Sequence, residues 1–332
     1  MESISKRNEW IESARVIAIL LIVLFHVPAS ALPPADEGSL SSLLLSFFVQ
    51  PEASLTLFFF LAGYFTKTQM PVKKWVNRVL SLLIMYMIWN TLCSFGLNDE
   101  KTFSRIFGFC SADRVCADYP LWFVLSIIYM ILLWPVWKAM PGVVLIVCIA
   151  FVFWGNSWHC NALRYLPFPD PFSCSTFLFG VCLSRFSIPK IQKVVMLAFP
   201  LFLVLHIINL GYFSYSFYFS SICGAAFMLS LPAVCEKVFP CIIRGLARYS
   251  NAVFLCYASH AAILVLLGKC YLATGEPCTA ILRESHIPIA LVIFVCNVAG
   301  FAIMKKYTPW ILPFIANYGR FPWVRTERKI SG

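Results

Sequence analysis

Two residues able to bind an anion and to move a proton, Arg15 and His26, sit in one otherwise apolar run near the start of the chain. An α-helix turns about 100° per residue, so eleven residues end about 20° beyond three full turns. Both side chains therefore share a face, about 16 Å apart along the axis. Alone, Arg15 reads as a cation that snorkels to a membrane interface, and His26 as a structural histidine. Placed together on one helix face, they favour a functional column, because ionisable groups in apolar helices are costly and usually face a cavity or a partner. A neutral imidazole can act as general base or nucleophile, and a guanidinium suits a phosphate.

Other polar residues fall inside apolar runs. His260 follows Tyr257 by three residues, and His206, Asn90, Asn209 and Asn297 are scattered among later runs. For these the default is an interhelical hydrogen bond. Glu52, beside Pro51, is expected at an outer interface. Phe58, Phe59, Phe60 and the tryptophans are expected to face lipid or form interfacial belts. No Cys-x-x-Cys pair, His-Glu-x-x-His or carboxylate cluster points to a metal, and neither a P-loop nor a Gly-x-Ser-x-Gly elbow is present.

The elements that must position these groups follow from composition. Of 332 residues 60% are hydrophobic and 12% charged, about half the charge of a soluble domain. Soluble enzymes and disordered chains are excluded, which leaves an all-α, polytopic membrane protein. Ten apolar stretches are long enough to cross a bilayer as helices: 11–28, 43–65, 78–97, 120–138, 142–158, 172–186, 193–211, 215–234, 251–269 and 287–305. The second is expected to break near Pro51.

Basic residues orient the bundle. With both termini in the cytoplasm, the inner segments hold 20 of the 26 basic and 5 of the 15 acidic residues, so the inner and outer faces carry +15 and −4. The net charge of +11 thus describes a membrane face that meets anionic headgroups, and no nucleic acid is implied. Ala29-Ser30-Ala31 fits a signal-peptide cleavage site, but Glu2, Glu9 and Glu12 make the leader acidic, and cleavage would break the charge alternation. The chain is expected to form a single transmembrane domain over 1–332, with the tail 307–332 lying at the cytoplasmic interface.

These residues resemble the membrane acyltransferase 3 family. The family's Arg and His, separated by ten residues in its first helix, match Arg15 and His26, and its acidic residue three before the Arg matches Glu12. An aromatic run ending small-Gly-aromatic matches Phe58 to Tyr64, with basic Lys73, Lys74 and Arg78 following. Leu121-Trp122-Phe123, with Trp134-Pro135 closing that span, matches a third block, and Tyr257 with His260 a fourth. Two positions depart: Pro120 replaces a His, and Val253 replaces a Ser, with Ser250 nearby.

The resemblance implies a stand-alone O-acyltransferase, most often an O-acetyltransferase. It would move an acyl group from cytoplasmic acyl-CoA to a hydroxyl of a surface polysaccharide or its lipid-linked precursor. Acetyl-CoA is then a co-substrate, and no permanently bound cofactor is implied. His26 and Arg15 are the expected catalytic residues; Arg15, Lys73, Lys74 and Arg78 would hold the nucleotide phosphates; Trp122, Tyr257, His260 and Glu52 would bind the acceptor. For the three loop cations, plain topology signalling is the competing account. The rival function is a transporter or flippase that uses the same polar column as a path for a glycan or small anionic solute. The expected location is a bacterial inner membrane.

Reporter fusions after Ser187 and after Lys329 should report the cytoplasm, and one near Ala112 the outside; a cytoplasmic signal at Ala112 would overturn the ten-span map. The same map leaves two cysteines at each of three outer loops: Cys110 and Cys116, Cys160 and Cys174, Cys270 and Cys278. An oxidising outer compartment lets disulfides persist, and pairing within a loop closes the shortest rings. Non-reducing peptide mapping should find three intra-loop disulfides; six free thiols would refute the pairing.

Overall fold

The computed structural model describes residues 8–26, 51–66, 70–97, 122–140, 142, 146, 171–212, 217–273 and 286–316. Among them the chain is helical, with no strand. The first half contributes α1 (Glu9–His26), α2 (Pro51–Tyr64), α3 (Val72–Leu97), α4 (Trp122–Leu132), α5 (Trp134–Ala139) and α6 (Pro171–Leu183). The second contributes α7 (Ile188–Tyr212), α8 (Phe217–Val238), α9 (Pro240–Ala247), a 3-10 turn (Ser250–Ala252), α10 (Val253–Ala273), α11 (His286–Tyr307) and α12 (Leu312–Ile315). The described parts of nine of the ten expected spans are largely helical, 120–138 being divided between α4 and α5, and of 142–158 only 142 and 146 are described. The break expected near Pro51 concerns residues 43–50, which lie outside the described residues.

Within the described residues, Ile188–Ile208, Ser221–Val238 and Ile287–Tyr307 are long and apolar enough to cross a membrane. On α7 the exposed residues Val194, Leu197, Leu201, Val204 and Ile208 recur at helical spacing. An apolar stripe of that length on an outer surface suits contact with lipid rather than water.

Helix α1 lies inside the bundle and touches α2, α8, α9, α10 and α11. Trp10, Ile11, Ala14 and Ala18 belong to one apolar cluster with residues of α2, α7, α8 and α9. Val16, Ile19, Ile22 and Val23 belong to a second, with residues of α3, α4, α6, α10 and α11. The helix starts beyond Asn8, whose carbonyl accepts the N–H groups of Ile11 and Glu12 at 3.1 Å. Glu9 and Glu12 in the first turn favour the positive end of the helix dipole.

Proline explains the break between α4 and α5. Pro135 has no N–H to donate to the carbonyl of Ile131, four residues back. The Trp75 indole of α3 donates to that carbonyl instead, at 2.6 Å. Trp137 Nε1 likewise donates to the Met130 carbonyl at 2.7 Å, and Trp89 Nε1 of α3 to the Ile315 carbonyl at 2.8 Å. Several tryptophans expected in interfacial belts are therefore interior: Trp10, Trp134 and Trp137 are buried, and their neighbours are helices. The expectation failed because composition does not distinguish an indole that meets a headgroup from one packed among helices.

Helices α2 and α6 cross at backbone contact. A Cβ on Gly63 would meet the Phe177 carbonyl oxygen at 2.0 Å, and one on Gly180 would meet the Phe60 carbonyl oxygen at 2.1 Å. No side chain fits at either point, so the small-Gly-aromatic block is a packing device that joins two helices. Gly180→Ala should destabilise the protein by at least ~1–3 kcal/mol, read as a lower thermal midpoint in detergent. Gly300→Ala, where a Cβ would meet nothing within 4 Å, should leave the midpoint unchanged or raise it.

Candidate functional site

The site forms where the last turn of α1 meets the middle of α10. His26 Nδ1 lies 2.8 Å from the Ile22 carbonyl oxygen, one turn back on its own helix. A carbonyl can only accept, so Nδ1 carries the hydrogen and the neutral ring leaves its lone pair on Nε2. His260 repeats the arrangement on α10, with Nδ1 2.6 Å from the Tyr257 carbonyl oxygen. The two imidazoles meet edge to face, their centroids 5.0 Å apart and their planes inclined by 62°. His26 is half-buried and His260 fully buried. His260 Nε2 has no hydrogen-bond partner among the described residues. A buried acceptor left without a donor is costly, and a ligand donor would relieve that cost.

Aromatic rings extend from this pair into the bundle. Tyr257 lies 5.8 Å from His260 and 5.2 Å, edge to face, from Phe123 of α4. Phe123 in turn packs edge to face on Phe59 at 4.6 Å and Phe58 at 5.9 Å, both on α2. Segments far apart in the chain, around His26, Phe58–Phe59, Phe123 and Tyr257–His260, therefore form one contiguous patch. Phe59 was expected to face lipid, yet it is buried at the centre of this patch. Phe123 was not singled out as a site residue. The only sequence signal for it was its place beside Trp122 in the third block.

Arg15 sits three turns below His26 and is half-buried. Its Nη1 donates to Glu12 Oε2 at 2.9 Å, so the acidic residue one turn back holds the guanidinium in place. Four of the five guanidinium N–H donors take no part in that bond. Lys73 and Lys74 are exposed in the first turn of α3, and Arg78 is half-buried one turn further on. These three belong to a helix end and not to the histidine cluster. The helix dipole adds to their charge there, as suits an anion.

Glu52 and Trp122 are placed at the starts of α2 and α4, but their side chains lie outside the described residues. Cys110, Cys116 and Cys160 are likewise outside them, as is Cys278, and so is the side chain of Cys270 on α10. Cys174 is half-buried in the first turn of α6. Of the polar residues expected to bond between helices, Asn297 does so, His206 is placed by ring stacking, and the side chain of Asn209 lies outside the described residues. His206 is buried and stacks on Phe227 at 4.9 Å, with 9° between the planes. Ser259 of α10 donates to Asn297 Oδ1 of α11, and Asn297 Nδ2 donates to the Ile293 carbonyl at 2.8 Å. Among the described residues no group of three or more metal-ligating side chains occurs.

Together these features define a class: an all-helical, membrane-type protein with a paired-imidazole site inside the bundle and an arginine on the same helix as one of the imidazoles. A family model described as an acyltransferase domain, that of the acyltransferase 3 family, matches residues 8–306. The chain belongs to that family, and the protein is an acyltransferase. Neither the comparison with curated proteins nor that with solved structures found a match.

Proposed function

We propose that the protein is an O-acetyltransferase of a bacterial inner membrane, moving acetyl from cytoplasmic acetyl-CoA to a hydroxyl of a surface polysaccharide or its lipid-linked precursor. One transmembrane domain spanning residues 1–332 crosses ten times, with both termini and the interfacial tail 307–332 in the cytoplasm. The observation that carries this reading is the His26 imidazole. Its Nδ1 is committed to the Ile22 carbonyl, and its Nε2 lone pair is left for substrate in a membrane-embedded site. Acyl transfer to an alcohol needs such a base.

In the proposed reaction His26 Nε2 takes the proton of the acceptor hydroxyl. The oxygen attacks the thioester carbon and the C–S bond breaks. The CoA sulfur then takes the proton from His26. His260 Nε2 accepts a hydrogen bond from the acceptor, and Tyr257, Trp122 and Glu52 line its approach. Arg15, Lys73, Lys74 and Arg78 hold the donor phosphates on the net-positive cytoplasmic face. The acetyl-pantetheine arm runs along the α1 face from Arg15 towards His26. Acetyl-CoA is a co-substrate, and no other cofactor is required. The three outer-loop disulfides brace the mouth where the glycan docks.

Purified protein supplied with acetyl-CoA and an acceptor glycan should release free CoA thiol. A transporter or flippase would bind without release. His26→Ala should lower turnover by about 10²-fold or more while donor binding persists. Arg15→Ala should chiefly raise KM for acetyl-CoA. Near-normal turnover in His26→Ala would overturn the mechanism.

A further inference from the structure

Helix α9, between α8 and α10, presents three flanks with different chemistry. Ile243 is buried, and its carbonyl accepts the Ser13 hydroxyl of α1 at 2.7 Å, so this flank is fixed to the interior. At about 100° per residue, Ile242 and Arg244 project to either side of it and diverge by about 160°. On Ile242's side the surface is apolar: Ile242 is 56% exposed and Phe239, just before the helix, 53%. On the other side Arg244 is exposed, and Arg248, one turn on, is exposed too. Arg244 also lies 3.7 Å from Glu9 at the start of α1, a loose pair of exposed groups.

An apolar flank and a cationic flank on opposite sides of a short helix match the two sides of a membrane interface. A soluble anion would account for Arg244 and Arg248 but would leave Phe239 and Ile242 in water. A neutral lipid would account for the apolar flank but not for the paired guanidinium groups. We infer that α9 is a docking surface for an anionic phospholipid of the cytoplasmic leaflet. Phe239 and Ile242 enter the acyl chains, and Arg244 and Arg248 bind the headgroup phosphate. Ser13 ties that contact directly to α1, the helix that carries Arg15 and His26. The inference rests on the cytoplasmic placement of residues 235–250 proposed above and not on acyl transfer. A lipid-sensitive but inactive protein would therefore count against the proposed activity alone.

The test uses the full chain purified in detergent, titrated with phosphatidylglycerol or phosphatidylcholine in mixed micelles and followed by thermal unfolding. Phosphatidylglycerol should raise the midpoint by several degrees more than phosphatidylcholine or inorganic phosphate does. Arg244→Gln/Arg248→Gln should lose that increment and keep the phosphatidylcholine response. Glu9→Gln removes the same ion pair without removing the cation, and should keep the increment. If the double variant does not fold, Arg248→Gln alone should show a reduced increment. Equal responses to both lipids, a full increment in the arginine variants, or reproduction of the effect by inorganic phosphate would overturn the inference.

Discussion

The enclosure of α1 governs the rest of the architecture. With Trp10, Ile11, Ala14 and Ala18 committed to one apolar cluster and Val16, Ile19, Ile22 and Val23 to another, few directions remain for polar side chains. Glu12, Arg15 and His26 project within about 60° of one another along a seam between these contacts. Each is stabilised locally, Arg15 by Glu12 and His26 by the Ile22 carbonyl. A polar column inside a closely surrounded helix requires that self-sufficiency, because an unpartnered charge or donor there would cost several kcal/mol. These polar groups are thus held in place by the protein's own contacts.

The same demand operates on the backbone. Where Pro135 removes a donor, an indole from α3 supplies one to Ile131, and a second indole reaches Ile315. In an apolar medium no water can take that role. The tryptophans of α3 therefore secure both a broken helix and the C-terminal turn, and they hold α4 where Phe123 can face Tyr257.

The all-helical class and most helix positions were legible because runs of about 20 apolar residues have few other solutions. The Arg15–His26 relation was legible because it is local, fixed by helix geometry alone. The meeting of His26 with His260 was not, since no periodicity records which face of α10 turns towards α1. Lipid was the expected neighbour of Phe59 and of several tryptophans for a related reason: in a membrane protein hydrophobicity does not separate inside from outside. The Glu12–Arg15 pair lies between these cases, visible as a spacing and meaningful only once the surrounding helix faces are known to be filled.

The reciprocal glycine crossing of α2 and α6 restricts how the molecule can move. Two helices whose backbones touch at Gly63 and Gly180 cannot slide without forcing the Phe177 or Phe60 carbonyl against a neighbouring residue that has a Cβ. They behave mechanically as a single plank, and Phe58 and Phe59 ride on it as one wall of the aromatic patch. Any rearrangement of that patch must then come from the other helices that line it, α4 with Phe123 and α10 with Tyr257 and His260. The α2–α6 wall is thus the fixed side of the aromatic patch.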